Sequence, residues 1–379
     1  MSKFVKLEVV ILFTVLLSWS TAASAASVTL AWNAVSDSAV TGYELCWGEA
    51  PGSWPTCKTV GKVTQSDVTG LTDGRAYYFV VKAFNAAGTR SGPSTEVSRR
   101  IGVPRATVGD LTGDSRSDLG VYRPSDGNWY FKDAWTSAQS RIRWGVSSDA
   151  PVAADYDGDG KIDVAVYRPS DGTWYMLYSS TGVGTSLWWG VKDDRPVPGD
   201  YDGDGKADAA VFRPGNGTWY LHLSKTGVGR GVQWGSSADK LVPADYDGDG
   251  ITDVAVFRPG NGTWYIVNST SGAGWSGGWG NAGDVPVPAD YDGDGKSDIA
   301  VFRPSTGTWY LRLSSTGSGF AFQWGIGTDL PVPGDYDGDG KADIAVFRPS
   351  LGAWYVRYTA SGGTVGLQWG LPIDIPIVK

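Results

Sequence analysis

The sequence predicts an all-β protein: a small N-terminal β-sandwich followed by a β-propeller of six four-stranded blades, with a seventh blade left open. Three observations carry that prediction. An aspartate-rich stretch begins at Asp110, Asp155, Asp200, Asp245, Asp290 and Asp335, so the text repeats every 45 residues. Each repeat holds four short apolar runs set apart by Gly, Ser, Thr and Pro, the composition of strands and turns. Ahead of the repeats, runs such as "SVTLAW" and "AYYFVVKAFN" alternate apolar and polar residues with Gly, Asp and Pro between them.

In chain order, residues 1–25 read as an export signal: Lys3 and Lys6, the apolar run Val9 to Leu17, then Ala23-Ser24-Ala25 as a small-residue cleavage site. That run falls well short of the roughly 20 apolar residues that span a bilayer, and no longer one follows. The mature chain is therefore expected to be secreted, whether extracellular, cell-surface or periplasmic, with no membrane span and as a monomer. Export favours a disulfide between the two cysteines, Cys46 and Cys57. A zinc site would need more thiols or imidazoles nearby, and His222 is the single histidine. A net charge of -8 without a basic stripe excludes a nucleic-acid partner.

Residues 26–101 form the sandwich. Trp32 on the first run, Tyr43 on the next, and Leu71 followed by Tyr77 and "YYFVVKAFNAAG" resemble a fibronectin type III domain. The resemblance implies a corner tyrosine, Tyr77, whose hydroxyl bonds back to the chain near the preceding turn. Cleavage after Ala25 would leave the usual first strand missing and one sheet edge open. Such a module is expected to be a spacer or contact surface.

Residues 102–379 are six repeats. Each has pre-loop text such as "LPVPGDY", the aspartate loop, then runs like "DIAVFRP", "GTWYLRLS" and "FAFQWG", which are four strands. In "DIAVFRP" both faces are apolar, Ile299 and Val301 on one and Ala300 and Phe302 on the other, as in a sheet covered on both sides. Blades around an axis meet that need; a linear solenoid is the alternative. The terminal "IPIVK" resembles pre-loop text and could complete the ring, in competition with residues 104–109 for one innermost position.

"DYDGDGKAD", residues 200–208, puts Asp200, Asp202, Asp204 and Asp208 at alternate or near-alternate positions of a tight loop. Oxygen ligands so spaced converge on a hard cation that wants 6 to 8 oxygens, which makes calcium the natural occupant. Gly205 supplies the bend and Lys206 a backbone carbonyl. Residue 211 is Val, so no bidentate acid stands where an EF-hand needs one. Four further complete loops carry Asp155, Asp157, Asp159, Lys161 and Asp163; Asp245, Asp247, Asp249, Ile251 and Asp253; Asp290, Asp292, Asp294, Lys296 and Asp298; and Asp335, Asp337, Asp339, Lys341 and Asp343. The first loop, "DLTGDSRSD", has Thr112 for the second aspartate and Ser115 for the glycine, leaving Asp110, Asp114 and Asp118. Polar turns explain one or two aspartates per loop, but four at fixed spacing repel without a cation. Loop residues make up 23 of the 40 acidic side chains, so the acidity is mostly that of these sites. About five or six ions are expected, structural rather than catalytic.

These loops between strands resemble the calcium loops of FG-GAP and VCBS repeats of integrin-like propellers, over all six units. The resemblance implies a calcium-binding propeller in a secreted binding or adhesion protein.

Other residues share the period. Arg-Pro recurs at Arg123, Arg168, Arg213, Arg258, Arg303 and Arg348, Trp-Gly at Trp144, Trp189, Trp234, Trp279, Trp324 and Trp369, and Asp at Asp149, Asp194, Asp239, Asp284, Asp329 and Asp374. Packing between blades and Arg–Asp pairing is one account of them. The other is carbohydrate binding, in which the indoles and the arginines from Arg168 onward line pockets that stack on sugar rings, as in integrin-like propeller lectins. Trp135, Trp188 and Trp275 break the period and would mark a contact surface if exposed. His222, at a variable strand position, is expected at the surface.

Function thus reads as binding or adhesion towards an extracellular glycan or protein, with calcium holding the hairpins. A unique catalytic constellation is lacking, so no enzyme is expected; a polysaccharide lyase or hydrolase and a purely structural envelope or matrix protein are the alternatives.

Overall fold

The computed structural model describes residues 26–100 and 109–377, apart from 38, 50, 51, 72–75, 95 and 135. The expected export signal, the boundary at 101/102 and Trp135 lie outside the described residues. The chain forms two compact units, an N-terminal one and one built from the repeats.

The N-terminal unit contains β1 (Ala26–Ala31), β2 (Val40–Gly48), β3 (Thr56–Val60), β4 (Gln65–Leu71), β5 (Ala76–Asn85) and β6 (Val97–Arg100). One sheet is β1-β4 and the other β3-β2-β5-β6. Among the described residues β1 pairs with β4, and the expected absence of a strand ahead of it falls on residues outside those described. Inward residues of both sheets, among them Leu30, Trp32, Tyr43, Leu45, Val68, Phe79 and Val81, make one core. Cys46 and Cys57 sit opposite each other on β2 and β3 and are joined. The Tyr77 hydroxyl donates to Glu49 Oε1 at 3.2 Å. The turn to which a corner tyrosine would bond is 72–75, outside the described residues.

Six four-stranded antiparallel sheets follow, the fourth strand of each being the exposed outer one. The first comprises β7 (Leu119–Arg123), β8 (Asn128–Lys132) and β9 (Gln139–Arg143). The second runs β10 (Ala150–Pro151), β11 (Val164–Arg168), β12 (Thr173–Leu177) and β13 (Gly184–Trp188), hydrogen-bonded in that order. On β11 all of Val164, Ala165, Val166 and Tyr167 are buried, because sheets cover both of its faces. The tight β11–β12 turn needs glycine: Gly172 has φ +72°, and a Cβ there would meet the Gly190 carbonyl oxygen at 2.3 Å.

The C-terminal strand Ile375–Pro376 pairs with β7 at Tyr122 and Val121, the register in which β10 pairs with β11. Ile377 N–H then donates to the Gly120 carbonyl at 2.8 Å, as Val152 N–H does to Ala165. The chain's end therefore supplies the first blade's innermost strand, and the ring closes at six blades rather than seven. Leu119 and Val121 share a core with Val332, Tyr336 and Phe347 of the sixth unit, so the junction is packed like any other.

Candidate metal centre: the aspartate loops

Each of the five complete loops hangs between the innermost strand and the next strand of its sheet. In the second unit it is pinched shut by an isolated bridge between Ala154 and Asp163. Asp155 accepts Gly158 N–H on Oδ1 and Gly160 N–H on Oδ2, and Asp163 Oδ2 accepts Tyr156 N–H. These bonds curl the backbone, with Gly158 at φ +81° and Gly160 at +89°, so that the carboxylates converge. One oxygen from each of Asp155, Asp157 and Asp163 lies within 4.8 Å of the others; the same holds for Asp200, Asp202 and Asp208, for Asp245, Asp247 and Asp249, and for Asp290, Asp292 and Asp294.

Crowding and burial disfavour ionisation. Burial, followed by neighbouring aspartates, pushes Asp155, Asp163 and Asp200 up to about 6 and Asp208, Asp253, Asp290, Asp298 and Asp343 up to about 7, against backbone N–H bonds that pull the other way. Oδ1 of Asp337 is buried and has no hydrogen-bond partner among the described residues. An all-oxygen donor set, held convergent, electrostatically strained and with an orphaned buried carboxylate oxygen, fits a hard divalent cation.

Two parts of the site escaped the sequence reading. In the five complete loops the tyrosine after the first aspartate is buried or half-buried and bonds back to the segment that follows the innermost strand, as Tyr156 O–H does to the Val152 carbonyl at 2.6 Å. The turn between the third and fourth strands folds onto the loop: Ser179 N–H donates to Asp163 Oδ1 at 2.6 Å and its hydroxyl to Asp159 Oδ2 at 2.9 Å, while the Ser180 hydroxyl reaches Asp157 Oδ2. The signal was present, since Ser179, Ser224, Ser269, Ser314 and Thr359 share the 45-residue period. Common turn residues hid it.

The loops also link to one another. The carbonyl of the first aspartate accepts the N–H of the residue before the last aspartate of the next loop, from Ile162 to Asp110 round to Ser117 to Asp335, six bonds of 2.6–2.8 Å. Lys161, Lys206, Lys341 and Arg116 lay their stems over Gly113, Gly158, Gly293 and Gly338 of the preceding loop.

The remaining periodic residues have partners within the ring. All six arginines of the Arg-Pro pairs meet the preceding unit's aspartate two-pronged at 2.7–2.9 Å, Arg123 with Asp374 closing the set. Each guanidinium also lies over a tyrosine ring, 4.1–4.6 Å from its centre. Trp144, Trp189, Trp234, Trp279 and Trp324 are half-buried, with Nε1 donating to a tyrosine carbonyl of the next unit at 3.0–3.1 Å; Trp369 turns to the Leu119 carbonyl instead. His222 is half-buried with its ring edge-on to Trp189, 5.1 Å between centres, and not a plain surface residue. Of the indoles that break the period, Trp188 is 72% exposed and Trp275 39%.

FG-GAP-like repeats match residues 155–211, 200–256, 245–301 and 290–346, together just over half of the chain. The chain belongs to the FG-GAP-like repeat family. Ahead of its FG-GAP-like repeats a fibronectin type III domain matches residues 17–100. Chitinase A1 of Niallia circulans is 32% identical over 131 residues, 34% of this chain and 16% of that protein. A Kelch domain-containing protein of Saccharolobus solfataricus is 44% identical over 72 residues, 19% of this chain and 9% of that protein. The chain thus spans a small part of either relative. Among solved structures, an Agrocybe aegerita lectin described as recognising non-reducing terminal N-acetylglucosamine aligns with 76% of this chain and 87% of its own, at 17% identity and a TM-score of 0.46. No helix among the described residues is long and apolar enough to cross a membrane.

Proposed function

We propose that this FG-GAP-repeat protein is an extracellular binding protein whose propeller is held in shape by calcium and whose ligand is a glycan. The observation that carries the calcium reading is the set of convergent, half-buried to buried carboxylates whose crowding and burial the loop's backbone N–H bonds offset only in part. When bound, the ion supplies charge neutralisation and cross-linking of the loop, not chemistry on a substrate. Asp200, Asp202, Asp204 and Asp208 with the Lys206 carbonyl would hold it, and likewise in the other complete loops. The disulfide and the two domain types support an extracellular setting.

The glycan reading rests on Trp188. Its Nε1 donates to the Asp171 carbonyl at 2.9 Å, which fixes the ring, while most of its surface faces solvent. A planar, immobilised indole is what sugar rings stack on. The inter-blade indoles, by contrast, are engaged with the scaffold. The reading is of a non-enzymatic binder, since the loop aspartates and Arg–Asp pairs act together and His222 packs on Trp189.

Calorimetric calcium titration with a glycan array, run with calcium and with chelator, tests both parts. Expected are several ions per chain at a dissociation constant of roughly 0.1–1 mM and glycan binding that Trp188→Ala abolishes. Absence of bound calcium defeats the first part, and a blank array defeats the second.

A further inference from the structure

The turn between the third and fourth strands does for the aspartate loop what a loop cannot do alone. In the third unit Ser224 N–H donates to Asp208 Oδ1 at 2.6 Å, its hydroxyl reaches Asp204, and Lys225 N–H reaches Asp202 Oδ2 at 3.1 Å. In the fifth, Ser314 contacts Asp298 and Asp294 and the Ser315 hydroxyl contacts Asp292. The second unit repeats the pattern with Ser179 and Ser180. One short turn thus binds the last, third and second carboxylates of its loop together. A carboxylate has about four lone-pair positions, so each can accept these bonds and still face a cation. Serine adds no charge, so its hydrogen bonds aim the carboxylates and favour their ionised form without neutralising them as a cation would.

The first and sixth units depart from this in informative ways. In the first, Ala134 stands where Ser179 does, Thr112 replaces the second aspartate, and Ser115 takes the glycine position at φ +67°. Asp118 Oδ2 there accepts both Leu111 and Thr112 N–H. The loop and its turn have changed together. Asp110 nevertheless keeps its link to Ile162, so the first loop still joins the ring. In the sixth, the Thr359 hydroxyl donates to the Ala342 carbonyl and Ala360 replaces the second hydroxyl. Its Asp337 has a buried Oδ1 without a partner among the described residues, an atom that a cation would satisfy.

Resting on the calcium reading above, we propose that each cation site is built from two segments of one blade, the aspartate loop and the turn between the third and fourth strands. Ser179, Ser224, Ser269, Ser314 and Thr359 are its positioning residues. The first unit, whose loop has lost its second aspartate and whose turn has lost its serine, holds no ion, and the chain takes five.

The test counts calcium ions on the full chain by native mass spectrometry and measures affinities by calorimetry with calcium alone. The wild type should take five. Thr112→Asp/Ser115→Gly/Ala134→Ser should take six, and the variant without Ala134→Ser should bind its sixth ion about 10-fold more weakly. Ser314→Ala should weaken one of the five sites about 10-fold while leaving the melting temperature in chelator unchanged, whereas a merely structural serine would lower that temperature. Six ions on the wild type, or wild-type affinities in Ser314→Ala, would overturn this proposal and leave the calcium reading standing. No ions at all would remove the calcium reading itself.

Discussion

Asp208 and its equivalents stand in an unusual position for carboxylates, buried beside others of their kind, with backbone N–H groups as their chief support. Their folded-state values, about 6 to 7, lie above the roughly 3.9 of an unfolded aspartate. A group raised in this way binds more protons folded than unfolded. Its contribution to stability is full below about pH 4 and is lost as pH rises through about 7. The metal-free protein should therefore melt at a higher temperature at pH 5 than at pH 8. Calcium should reverse the order, because ligation requires the ionised form that only the higher pH supplies. Melting curves in chelator and in excess calcium at the two pH values check this, and a chelated protein that is firmer at pH 8 would contradict it.

A single blade is a stack of obligations that its neighbours meet. Trp219 is fully buried, its Nε1 donates to the Trp234 carbonyl at 2.9 Å, and Phe212 lies edge-on at 5.8 Å between ring centres. Trp234 in turn donates to the Tyr265 carbonyl of the following blade. One aromatic ladder therefore spans the sheet and ties it to the next. Trp219→Ala should cost about 3–5 kcal/mol, as large aromatic truncations in cores do, seen as a lower midpoint in denaturant. Trp188→Ala, at an exposed outer-strand position, should leave the midpoint within about 0.5 kcal/mol of wild type.

Closure joins the six blades into one ring. The C-terminal strand, the Arg123–Asp374 pair and the Ser117–Asp335 loop bond all cross the same junction. Asp374 is buried and also accepts Leu371 N–H, so Arg123→Ala would strand a carboxylate at a cost of about 3–5 kcal/mol. Equilibrium unfolding should register that loss; an unchanged midpoint would mean that the junction carries little of the stability. The loop-to-loop bonds run through the peptide whose carbonyl is the candidate backbone ligand, so neighbouring sites share a peptide group around the ring.

Periodicity determined much by itself. The number of units, their strands, the five complete aspartate loops and the weakened first one are local text repeated at fixed spacing, and local text dictates turn geometry and which faces are apolar. The Arg–Asp pairs were legible for the same reason. Strand β4, "QSDVTGL", was not: only Val68 and Leu71 of it are fully buried, so its period is faint. Which of two similar segments closes the ring, what the turn serines touch, and whether an indole faces a neighbour or water were decided by tertiary structure. Each depends on contacts between residues far apart in the chain, and a residue's own neighbours in sequence hold no record of what packing will bring against it.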